Sequence, residues 1–339
     1  MKTIAEAAKV SVMTVSLALR NHPRISGETK ERILKVAEQL GYRPNPMVSN
    51  LMIHIRSARP VPYQANLAYL TAFGSAKAWK EHPVAALAYE GMRRRAEDVG
   101  FLIDTFWLKE PGMDLKRLAK VLRSRNIQGV ILAPLPEAAA LDQLDWSQWS
   151  TVTLGNSLLS PRMHRVTHHQ FHGMWLILRK LEEKGYRRIG LVMDELVDNK
   201  VDRTFTSCIA GYHLRIPPRN RVPVLFQKLG PKFDPKILAT WIEKHKPDVI
   251  IGHDALLYYL QQLGMSVPGD IAVAHLGVPS VLDPTVSGLN QNWLLVGAAA
   301  VDTVVAQIYR NERGIPESPQ TIMLEGFWQE GGSTPGRLS

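Results

Sequence analysis

From residue 62 onward, short apolar runs alternate with segments of helical period. The runs are Leu67–Phe73, Phe101–Phe106, Val130–Leu135, Val152–Leu154, Ile189–Met193, Val249–Gly252 and Ile271–Leu276. Between them, Ala88, Met92, Ala96 and Val99 fall in step and predict a helix over Val84–Val99. Leu115, Leu118, Val121 and Leu122 mark another, and further helices are expected near 173–184, 235–245, 254–263 and 294–310. Buried strands alternating with helices specify parallel sheets covered on both faces. About 270 residues is more than one doubly wound sheet needs, so two α/β lobes are expected.

The first sixty residues follow a different pattern. Ala5, Ala8, Val10, Val15 and Leu19 can form a small shared core between two short helices, the second capped by Ser11. A third helix follows, with Ser26 as cap, Ile33, Val36, Ala37 and Leu40 as apolar face, and Gly41 as stop. Two short helices meeting across a tight turn make a helix-turn-helix, whose second helix enters the major groove of DNA. Asn45 and Pro46 can start one more helix, to Ile53, that is too short to stand alone in water. Its seam of Met47, Val48, Leu51 and Met52 has no local core beneath it, which suits folding against a second copy over DNA. Ser57–Pro62 reads as a linker.

Charge sharpens this reading. Residues 1–60 carry +6 of the chain's +10, the footprint of phosphate binding. The single cysteine, Cys208, fits a reducing compartment. The amino terminus has no apolar signal region, and no apolar run is long enough to span a bilayer, so a cytoplasmic protein with no membrane partner is expected. Phosphate-loop, nucleophile-elbow and dinucleotide glycine motifs are absent, so no enzyme is expected, and no cofactor.

Val10-Ser11-Val12-Met13-Thr14-Val15-Ser16, Gly41-Tyr42-Arg43-Pro44-Asn45 and Leu51 together resemble the lactose-repressor (LacI/GalR-type) family of bacterial transcriptional regulators. The resemblance spans nearly the whole chain, more weakly after residue 60. It implies a small all-α helix-turn-helix head (1–45), a hinge helix and linker (46–61), and an α/β, two-lobed, periplasmic-binding-protein-like core with parallel sheets. It further implies that late segments cross back, giving a first lobe of 62–158 plus 290–319, a second of 159–289 plus 320–334, and a tail of 335–339. The Gly297-Ala298-Ala299-Ala300 sequence matches the family's helix start. Relatives begin several residues earlier, with a Thr cap, and have a glycine where Lys9 stands, so the start codon is left open. The carboxyl terminus carries no leucine heptads for a tetramerising coiled coil.

The function implied is a homodimeric repressor on a palindromic double-stranded operator, controlled by a small molecule, possible ligands including carbohydrate. Two other readings stand beside it: a small-molecule sensor whose head serves protein contacts, and an enzyme on the same lobes. Resemblance places base contacts at Val12, Met13 and Leu17, and phosphate or positioning contacts at Thr14, Ser16, Arg20, Asn21, His22 and Tyr42. Asn50 and Leu51 fall in the minor groove, Leu51 as a wedge. Leucine cannot donate a hydrogen bond, so guanine recognition from Leu17 is excluded.

For the cleft the resemblance points to Phe73, His169, Cys208, His253, Asp254, Gly277 and Gln291. Sugar-responsive relatives commonly hold Asp, Arg, Asn and Asp where this chain has His169, Cys208, His253 and Gly277, so familiar sugar binding is not expected. His164, His168, His169 and His172 have spacings that could gather imidazoles on one helical face for a metal. No cysteine or clear carboxylate partner stands near, so no metal is expected; a cleft role for His169, or solvated and capping histidines, are the other readings. Cys208 is either a redox-sensing thiol or inert packing. Trp146 and Trp149 either stack on a sugar or pack in a core.

Overall fold

The computed structural model describes residues 2–19, 25–40, 65–136, 139–227, 233–253, 255–278 and 285–337. The head comprises α1 (Lys2–Ala7), α2 (Val12–Leu19) and α3 (Gly27–Gln39). Ser11 Oγ accepts the Thr14 N–H at 3.0 Å and Ser26 Oγ accepts the Thr29 N–H at 3.4 Å, satisfying first-turn donors of α2 and α3. At the end of α1 the Val10 N–H donates to Ala5 O at 2.9 Å and the Lys9 N–H to Glu6 O at 3.2 Å. This is a Schellman-type stop with Lys9 at φ +52°, in the left-handed position where glycine is favoured.

Ile4, Ala5, Ala8, Val15, Ala18, Ile33 and Ala37 form the head's core, with Val10 and Val36 packed against it. Leu40, expected on the inner face, is 48% exposed because it is the C-cap of α3, past the last full turn. Ile4 and Ala18 complete the core without having been expected there. Arg20, Asn21, His22, Gly41, Tyr42 and the hinge with Asn50 and Leu51 lie outside the described residues, as does the linker.

The body alternates strands and helices: β1 (Ala65–Thr71), α4 (Pro83–Asp98), β2 (Phe101–Trp107), α5 (Leu115–Ser124), β3 (Ile127–Leu132), β4 (Ala139–Ala140), β5 (Ser150–Leu154), β6 (Leu158–Ser160) and β7 (His164–His168) come first. Then follow α6 (Gln170–Glu183), β8 (Ile189–Met193), α7 (Glu195–Asn199), α8 (Thr204–His213), β9 (Leu225–Phe226), α9 (Pro235–His245), β10 (Val249–Gly252), α10 (Ala255–Gln262), β11 (Ala272–His275), β12 (Ser287–Asn290), α11 (Trp293–Arg310), β13 (Thr321–Leu324) and β14 (Phe327–Gln329). The first sheet runs β13-β7-β5-β3-β1-β2 and is parallel throughout. The second runs β14-β12-β11-β10-β8-β9 and is parallel except for the β12–β14 pair. Apolar clusters cover both faces of each sheet, as buried parallel strands require.

Strand pairing differs from the expected lobe boundaries at three points. β7 and β13, assigned by resemblance to the second lobe, belong to the first sheet: Val152 pairs with His164, and Arg165 with Thr321. Asn290 pairs with Phe327 in the second sheet rather than opening the first-lobe return. The chain therefore crosses between sheets at 168–170, 290–293 and 324–327. Two crossings are tied together by the His169 N–H, which donates to Leu324 O at 2.8 Å.

Helix α11 lies on the first lobe against α4. A Cβ at Gly297 would fall 2.0 Å from Ala88 O, and one at Gly91 would fall 1.9 Å from Leu294 O. These two glycines let the helix backbones touch. The Gly297–Ala300 sequence thus serves a helix crossing, since the helix itself begins earlier, at Trp293. Residues 335–337 pack on the second lobe: Tyr186 donates its hydroxyl to Pro335 O at 2.8 Å and Arg337 reaches Asp248 at 3.0 Å.

Candidate nucleic-acid interface and ligand cleft

The first turn of α2 carries Val12 and Met13, 43% and 74% exposed, on top of a closed core. Leu17 is half-buried one turn later. Apolar side chains standing out from the second helix of a helix-turn-helix are placed to pack on thymine methyl groups in the major groove. Thr14 backs the cap, with its Oγ1 at 2.8 Å from Ser11 Oγ.

The second site lies where the carboxyl ends of the parallel strands and the three crossovers meet, the usual place for ligands in such sheets. His168 closes β7, His253 follows β10 and His275 closes β11. The His168 ring stands edge-on to Trp293, with centroids 5.6 Å apart, and neither ring nitrogen has a hydrogen-bond partner among the described residues. Burial, reinforced by His169 and His253, pushes its pKa down to about 3, so it is neutral.

His169 is the N-cap of α6: its Nδ1 accepts the His172 N–H at 3.3 Å, which leaves the ring proton on Nε2. His275 does the same for the Gly277 N–H at 3.0 Å. Phe73 is buried, with its ring 5.2 Å from His82, whose Nδ1 caps α4.

Gln291 bridges the lobes at this floor. Its Oε1 accepts from Trp293 Nε1 at 2.7 Å and its Nε2 donates to Leu276 O at 3.0 Å. A Cβ at Gly277 would lie 2.7 Å from Gln291 Nε2 and 2.8 Å from its Cδ. The amide therefore occupies the room that a side chain at 277 would need.

Arg165, half-buried on β7, donates to Asn156 Oδ1 and Leu158 O, each at 3.0 Å, while its Nε is buried without a partner among the described residues. Burial lowers its pKa, and Asp202 opposes that shift.

Several expected sites are moved. Cys208 is 1% exposed in the second-lobe core beside Ile209 and Tyr212, and burial pushes its thiol up to about 12, so it stays protonated away from the cleft surface. The four histidines do not share a helical face: His164 and His168 sit at opposite ends of a strand, roughly 13 Å apart at about 3.3 Å per residue. Trp146 and Trp149 are buried in the first-lobe core. Asp254 lies outside the described residues. His168 and Trp293 were not singled out as cleft groups. Reading His164–His168 as an alternating strand, rather than as helical spacing, is the signal that would have turned His168 inward.

Residues 1–45 match the model of bacterial regulatory proteins of the lacI family, and residues 178–334 match the periplasmic binding protein-like domain. The NTD biosynthesis operon regulator NtdR of Bacillus subtilis (strain 168) is 24% identical over 96% of this chain and 99% of its own. The lac repressor dimer bound to operator and an anti-inducer has a TM-score of 0.56 at 16% identity, covering 98% of both chains. The transcriptional regulator CelR in complex with cellobiose has a TM-score of 0.57 at 17% identity, with the same coverage.

Proposed function

Because the chain belongs to the lacI family of bacterial regulatory proteins, we propose that it is a transcriptional repressor that grips a palindromic operator as a homodimer and changes that grip when a small molecule fills the inter-lobe cleft. The observation that carries this is the exposed Val12–Met13 face of α2 on a capped, packed head. An exposed apolar helix face costs solubility unless a partner covers it, and the thymine methyl is its counterpart in the major groove. Val12, Met13 and Leu17 read bases. Ser16, Arg20, Asn21, His22 and Tyr42, with Thr14, hold the backbone, and Asn50 and Leu51 enter the minor groove at the dyad. A two-fold dimer imposes two-fold symmetry on its site.

The cleft is the effector site and acts by hinge motion at the three crossovers. No catalytic step is assigned to it. No described helix is long and apolar enough to cross a membrane, and the protein acts in the cytoplasm on the chromosome. Footprinting on genomic DNA tests the reading. A protected near-palindrome, lost on Leu51→Ala with little change in nonspecific affinity, is expected; equal affinity for every sequence at physiological salt overturns it.

A further inference from the structure

The start of α6 gathers groups that address an anion. His168 is nine-tenths buried and, among the described residues, both its ring nitrogens lack a partner. Buried polar groups are nearly always paired, and leaving one unpaired is costly, so this imidazole is placed for something that arrives. Beside it, His169 must carry its proton on Nε2, because Nδ1 is taken by the helix cap. It therefore offers a donor. The helix it caps is fourteen residues long and contributes the positive end of its dipole.

The groups that act electrostatically on His168 itself are of one kind. Among the described residues the electrostatic neighbours of His168 are His169 and His253, both imidazoles. Arg165, three residues back on the same strand, lies on its other face, where it donates to Asn156 and Leu158 and is acted on by Asp202, so it takes no part here. Glu325 reaches only His172, at 3.9 Å, and is 69% exposed, where water screens it. The Gln291 amide at the floor has both ends engaged.

We propose that the ligand of this cleft is a small organic acid, sugar acids included, whose carboxylate is received at the start of α6 by His168 and the His169 Nε2–H. This rests on the reading of the inter-lobe cleft as the effector site, and it narrows that site to a chemical class. A carboxylate supplies the acceptor that these donors lack. It also meets the positive end of the α6 dipole. A neutral sugar supplies hydroxyls but no charge to match it.

The test uses the full chain and matched acid–neutral pairs: D-gluconate with D-gluconamide, D-galacturonate with D-galactose, and pyruvate with pyruvamide. Binding is measured by calorimetry, with operator affinity followed in parallel. At least one acid is expected to bind about tenfold or more tighter than its neutral partner, as for hydrogen bonds to a charged group. His168→Phe removes that preference.

His169→Asn keeps a capping side chain but loses the ring donor, so it weakens the acid several-fold without unfolding the helix, and it serves if the phenylalanine variant folds poorly. A neutral partner that binds as tightly as its acid, no binding by any acid, or an acid preference untouched in both variants overturns the proposal. A neutral compound that binds, alters operator affinity and is lost on Trp293→Ala overturns the acid class while leaving the cleft as effector site. A compound that alters operator affinity but binds Trp293→Ala unchanged places the effector elsewhere.

Discussion

The head and the cleft break the rule of burial in opposite directions. On α2 large apolar side chains face water, and at the end of β7 an imidazole is shut away from it. Neither arrangement lowers the free energy of folding, and in the reading proposed above each is completed by a partner. The difference lies in what holds each one in place. The head's exposed face is set by local caps and a handful of contacts, whereas His168 is held by segments from both lobes: β7, the start of α11 and the loop after β10. A locally built site is easily lost, and a distributed one is easily detuned.

The largest effect should come from the head's small core. Ile33→Ala removes a fully buried side chain and should cost about 2–5 kcal/mol, enough to unfold a domain of this size. Operator binding is then lost while the main melting transition of the lobes stays put, as calorimetry and footprinting would show. If the lobes melt earlier too, the two regions are not separate in the way the comparison states.

The next effect belongs to His168 and depends on pH. Its pKa is depressed in the folded chain to about 3 from an ordinary 6.5, so the unfolded chain binds the proton first as pH falls. The stability this group confers is complete above pH 6.5 and drains away toward pH 3. Between pH 7 and pH 5 the loss should be about 2 kcal/mol, from the linkage of proton binding to unfolding. His168→Phe should flatten this part of the stability profile. His164 and His213, also pushed down by burial, leave a residual slope in both proteins. Identical slopes in both would mean that His168 is not held neutral by the fold.

A smaller effect is expected at the reading face. Met13→Ala keeps the helix, because alanine is a good helix former, but removes an exposed contact. Specific affinity should fall by about 1 kcal/mol, at the low end for one base contact, with nonspecific affinity unchanged. Equal losses on both DNAs would mean that Met13 touches backbone only.

The smallest effect concerns Lys9. Its left-handed backbone costs roughly 1 kcal/mol relative to glycine, and part of that returns as the lower chain entropy of unfolded lysine. Lys9→Gly should raise the head's melting temperature slightly and leave the lobes untouched. A lower melting temperature would show the turn to be set by the lysine side chain.

Legibility in the sequence followed the same division. Ser11 and Ser26 as caps, and Val15, Ile33 and Ala37 as core, depend on neighbours a few residues away. The runs Ile189–Met193 and Val249–Gly252 are continuously apolar because both faces are covered, and they emerged as strands with those bounds. β7 did not. His-Arg-Val-Thr-His has one apolar residue, so its strand character comes from pairing with β5 and β13, far away in sequence. β13 and β14 are short and half-exposed and gave no periodic signal. In the cleft, aligned positions pointed to His169 and Cys208. The unpartnered state of His168 depends on what α11 and the second lobe bring near it, which no local pattern encodes.

The contact between Gly277 and Gln291 bears on how this cleft responds to substitution. The amide of Gln291 fills the volume that a β-carbon at 277 would take. A side chain introduced at 277 therefore turns that amide aside and gives up the two hydrogen bonds that anchor it. One of the two is to the indole of Trp293, which is then released. The two positions are thus coupled: what a substitution at 277 does depends on which side chain stands at 291, so their effects are not additive.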